Sequence, residues 1–104
     1  MTVENESQID GMGTETTTGK VVLMISDHLD WTEAAAHLHA IESKVNAYLA
    51  FIQNGQLLEE NSGARDRKVK IAIHQKYPEP TEVTPILDRL AQHLGFIGIE
   101  LWRG

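Results

Sequence analysis

The sequence predicts an α/β (α+β) domain: a two-layer sandwich in the order β-β-α-β-α-β, with a mixed four-stranded sheet and two helices on one face. Three observations carry this. Short runs rich in Val and Ile, KVVLMIS and KVKIAIHQ, have the length and composition of strands. Two longer segments carry apolar residues three and four apart, the helical period. A glycine-bearing polar turn, ETTTG, stands before the first strong strand and reads as a hairpin. Right-handed crossovers then put both helices on one side of the sheet, provided its winding does not reverse.

Taken in order, residues 1–6 read as a disordered tail, and residues 7–104 as the single domain. A short strand is expected over residues 7–14, weakened by Gly11 and Gly13. Gly19 accepts the positive φ that the turn requires. Residues 20–26 form a strand apolar on both faces, which suits a central position. The first helix follows Trp31. Asp30 is its expected N-cap, and Glu33 three residues on has the spacing of a capping box. Its stripe is Ala34, Leu38, Ile41, Val45, Tyr48 and Ile52, widened by Leu49 and Phe51, and Gly55 is the expected left-handed cap. A polar loop over residues 56–67 carries Leu57 and Leu58, which are expected to fold back on the core. In KVKIAIHQ, Val69, Ile71 and Ile73 alternate with Lys68, Lys70, Ala72 and His74. The segment YPEPT stops that strand and opens the second helix, with Thr81 as cap and Pro85 in the first turn. Val83, Ile86, Leu87, Leu90 and Leu94 make its buried stripe, and Gly95 is expected to end it. The last strand, residues 96–102, points Ile97, Ile99 and Leu101 inward and Phe96, Gly98, Glu100 and Trp102 outward.

Composition narrows the function. The 104 residues are enough for one core. No apolar run approaches the ~20 residues of a membrane helix, and MTVENESQIDG lacks the basic start and apolar stretch of a secretory signal. With no cysteine, disulfides, thiol catalysis and cysteine-ligated zinc are excluded. The cytoplasm is the default compartment. The net charge of −6 argues against binding to nucleic-acid phosphates. Between Arg65 and Lys76, however, five cations face only Asp66, a local +4 that leaves −10 for the rest. Such polarity steers acidic partners or favours self-association. The plainer reading is a basic strand edge and a solvated loop.

One short stretch, ISDHLDW, concentrates the residue types of a site. Asp27 and His28 follow a strand end, where α/β sheets place ligands. Asp27, His28 and Asp30 together could supply one nitrogen and two oxygens to a metal, or the acid–base groups of a small enzyme. A turn residue and a helix cap already account for Asp27 and Asp30, and an apolar lid over the sheet end for Trp31, so the structural reading is preferred. His37 and His39 lie about 200° apart on a helix and cannot share an ion. His93 sits where a helix C-terminus favours a cation. Phosphate-loop and nucleophile-elbow patterns are absent. No cofactor is expected.

The run ISDHLDW, with HLHAIESKVNAYLAFIQNGQL after it, resembles a family of small bacterial proteins of this length that carries only a domain-of-unknown-function label. The similarity spans roughly residues 9–101 and is most recognisable in GKVVLMISDHLDW and KVNAYLAFIQNG. The resemblance implies a bacterial, cytoplasmic protein with no well-known cofactor. It offers no functional residues to carry over.

Two mismatches predict a homodimer. The helix expected over residues 31–54 is about 36 Å long at 1.5 Å per residue, whereas seven-residue strands span ~23 Å. Phe51 and Ile52 lie near the overhanging end. The outer face of the sheet carries Phe96, Trp102, Ala72 and one apolar set from residues 21–25, broken by Lys68, Lys70, His74 and Glu100, too apolar for idle surface and too charged for a core. These residues are the expected interface of a non-catalytic, self-associating protein-interaction module. In the competing arrangement the N-terminal tail or the 56–67 loop covers this face in a monomer. The competing function is the enzyme or metal-dependent binder at Asp27, His28 and Asp30.

Overall fold

The computed structural model describes residues 10–55 and 68–104. The expected tail, the start of the strand expected from Ser7, and the 56–67 loop with Leu57 and Leu58 lie outside the described residues. The elements are β1 (Gly11–Thr14), β2 (Val21–Asp27), α1 (Ala34–Gln53), β3 (Val69–Gln75), α2 (Thr84–Phe96) and β4 (Ile99–Arg103). The four strands form one mixed sheet in the order β1-β2-β3-β4. β1 runs antiparallel to β2 through the hairpin, and β2, β3 and β4 are mutually parallel.

This is an α+β fold of the expected order. Alternation on the parallel strands explains the core. Val21, Leu23 and Ile25 of β2 and Ile71 and Ile73 of β3 are fully buried, with Val69 and Ile99 beside them. They share one cluster with Ile41, Val45 and Tyr48 of α1 and Leu87 and Leu94 of α2, so both helices cover the same face. Each such aliphatic side chain contributes about 1.5–3 kcal/mol on burial, more than any surface contact here. Gly19 and Gly55 adopt φ of 74° and 87°, the left-handed conformations expected of the hairpin turn and the end of α1.

Several local expectations are corrected. Helix α1 starts at Ala34 and not beside Asp30, and its N-cap, Glu33, makes no side-chain capping bond. Asp30 instead closes a tight turn by accepting the Thr32 N–H at 3.1 Å, which competes with helix at residues 31–33. Thr81 does not cap α2. A turn closed by the Pro80 carbonyl, which accepts the N–H groups of Val83 and Thr84, leads into the helix, and Val83 stands at its N-cap. Gly95 stays inside α2, and the chain turns at Gly98, whose φ is +81°. The displacement moves Phe96 and Ile97 off the strand. Phe96 belongs to the helix and is 87% exposed, and Ile97 is 55% exposed, not inward. Ile86, on the flank of its helix, is also exposed. Among the described residues, no helix is long and apolar enough to cross a membrane.

Candidate functional site

The β2–α1 junction separates the three residues that sequence proximity suggested as a site. Asp27 is buried at the end of β2, and its carboxylate meets the ring of His37 from the first turns of α1. His37 Nε2 lies 2.7 Å from Asp27 Oδ1 and 2.6 Å from Oδ2. The other ring nitrogen, Nδ1, lies 3.0 Å from the carbonyl oxygen of Asp30. The Asp30 carbonyl can only accept, so Nδ1 donates to it, and Nε2 shares the second hydrogen bond with the Asp27 carboxyl. Asp27 Oδ1 also accepts the Leu29 N–H at 3.2 Å, and its carbonyl accepts the Lys76 N–H at 2.8 Å. Trp31 stacks on His37 with ring centroids 3.6 Å apart, and its Nε1 donates to the Tyr77 carbonyl at 3.3 Å. Trp31 thus lids the sheet end, as its position suggested.

Chemically, the arrangement is a clamp. His28 is exposed, on the side of the small cavity shared with His74 and Lys76. The carboxyl of Asp30 is spent on Thr32, whose backbone N–H holds it below the ordinary 3.8. A cavity of about 440 Å³ opens beside the clamp, lined by Leu29, Asp30, Glu33, Ala36, His37 and Ala40. Neither nitrogen of His37 is open toward it in this arrangement, since both are engaged. Among the described residues, no three His, Cys, Asp or Glu side chains are placed to hold a metal ion.

A second buried polar group was not anticipated. Lys44 Nζ lies 3.0 Å from Asp10 Oδ1, with both side chains essentially inaccessible. Asp10 Oδ2 accepts the Ser26 N–H at 2.9 Å, and the Asp10 N–H donates to the Tyr48 hydroxyl at 2.9 Å. That hydroxyl donates in turn to the Met24 carbonyl at 2.5 Å, and burial pushes its pKa up to about 12. This network ties the residue before β1 to α1 and β2. The signal for both sites was a polar residue on an apolar helical stripe: His37 precedes Ile41 by four, and Lys44 precedes Tyr48 by four.

The outer face is built around Trp102. Register aligns Gly11, Met24, Ala72 and Trp102 in one row across the sheet. Ala72 is 4% exposed in spite of facing outward, and Trp102 is 40% exposed on the edge strand. The Trp102 ring has His74 at 5.3 Å and Lys70 Nζ at 5.9 Å. Lys70 pairs with Glu15 at 3.0 Å, and Lys20 with Glu100 at 2.5 Å, so the charges flanking the row are matched. Of the other expected interface residues, Phe51 and Ile52 pack partly buried against the chain's own core, and Phe96 stands apart at the end of α2.

The model of a family described as a family of unknown function, DUF6572, matches residues 1–103. No curated protein and no solved structure matches the chain.

Proposed function

We propose a function for this chain, which belongs to the DUF6572 family of unknown function: it is a bacterial, cytoplasmic protein-interaction module that self-associates as a homodimer. One observation carries the reading. Trp102 is a large, part-exposed aromatic on an edge strand, steadied between Lys70 and His74 beside a nearly buried Ala72. A pre-set aromatic of this kind is the typical anchor of a protein interface. The ion-paired flanks Lys70–Glu15 and Lys20–Glu100 supply a polar rim. The β2–α1 junction supports the same reading, because its histidine and aspartate are turned onto each other and onto the loop.

The test is the mass of Trp102→Glu by light scattering beside the unmodified chain. The expected result is a dimer for the unmodified chain and a shift toward monomer for the variant, with an unchanged circular dichroism spectrum. A variant that stays dimeric and folded removes Trp102 from the interface.

A further inference from the structure

The outer edge of the sheet at β4 supports a more specific reading, which rests on the self-association proposed above. Gly104 donates its N–H to the Ile73 carbonyl at 3.1 Å and accepts from the Gln75 N–H at 2.8 Å, so its backbone faces β3. Alternation then turns Glu100 and Trp102 toward β3 and leaves the N–H and C=O groups of Ile99, Leu101 and Arg103 pointing away from the sheet. Among the described residues, none bonds to those outward groups. The sequence there, IELWR, has no proline or glycine to blunt it. An inward charge on an edge strand ordinarily blocks pairing. Here Arg103 is neutralised by Glu79 at 2.7 Å and Asp88 at 2.8 Å.

We propose that two copies join edge to edge along β4, antiparallel about a two-fold axis through Leu101, making one continuous sheet. Register selects this geometry: antiparallel pairing of two identical edges lets the outward groups of Ile99 in one copy meet those of Arg103 in the other. An axis through Leu101 uses the outward groups of all three residues. An axis at Glu100 would place two glutamates directly opposite, which is unfavourable, and an axis at Trp102 leaves Ile99 unused. With the axis at Leu101, Trp102 of each copy falls opposite Glu100 of the other.

Two measurements on the full chain decide this. Amide hydrogen exchange is followed at low micromolar and at near-millimolar protein. The expected result is that Ile99, Leu101 and Arg103 slow by at least about tenfold at the higher concentration, while Glu100 and Trp102, already bonded to β3, change little. The chain has no cysteine, so Leu101→Cys reports the axis alone. Mild oxidation is expected to give a covalent dimer, with Phe96→Cys remaining uncoupled. If the chain is dimeric but these amides are insensitive to concentration, and His74→Cys couples in place of Leu101→Cys, the edge geometry is overturned and face-to-face self-association stands. A chain monomeric throughout overturns both.

Discussion

Lys44 and Asp10 form an ion pair that water does not reach, and its value lies in being complete. Breaking a buried pair leaves one charge uncompensated, which costs about 3–5 kcal/mol. Lys44→Met is therefore expected to lose that much in urea denaturation. Adding Asp10→Asn is expected to restore part of it, since the pair is coupled and the two changes are not additive. A Lys44→Met variant as stable as the parent would show that Asp10 does not depend on it. The same reasoning separates the histidines. His37→Ala strands the Asp27 carboxylate and is expected to cost several kcal/mol, whereas His28→Ala, on the surface, is expected to stay within about 0.5 kcal/mol. Equal losses would contradict the clamp. In the sequence Asp27 was visible as a strand-end residue, but its partner was not. His28 is adjacent in the chain and His37 ten residues away, and only the rotation of α1 decides which ring faces back.

The elements were legible wherever periodicity governs them. The alternation of β3, the stripe of α1 and the hairpin glycine are local patterns with single physical solutions. The ends of α1 and α2 were less legible, because competing local bonds decide them: Asp30 serves its own turn, and α2 runs through Gly95 to break at Gly98. Gly98 has open space around a Cβ position but a φ of +81°. Gly98→Ala is therefore expected to destabilise by about 1–2 kcal/mol through backbone strain alone. Gly95→Ala, inside the helix and also unobstructed, is expected to stabilise slightly. Reversal of that order in thermal melts would contradict the placement of the turn. At the other end of β4, the Arg103 guanidinium holds Glu79 below its ordinary 4.5. A carboxylate depressed in the folded state stabilises above that ordinary value and loses its effect as pH falls through the folded one. Glu79→Gln is thus expected to flatten the acid side of the stability profile below about pH 4.5 and to weaken the protein above it. An unchanged acid limb would mean that the Arg103 contact does not hold in solution.

For the whole molecule, both described helices pack on one face of the sheet, and that asymmetry was readable from the element order. The mismatch in length persists in reduced form: α1 has 20 residues, about 30 Å, over seven-residue strands of ~23 Å. Phe51 and Ile52 are nevertheless packed on their own core, so the overhang contributes no free apolar end there. What the sequence did not disclose was which outer residues cluster, because that depends on register across three strands. Trp102, Lys70 and His74 meet only once β3 and β4 are aligned. Self-association through this region is the central claim, and sedimentation equilibrium of the unmodified chain across the micromolar range at neutral pH tests it most directly. The expected result is a concentration-dependent mass rising toward twice the 11.6 kDa of one chain. A single 11.6 kDa species at every concentration would contradict it.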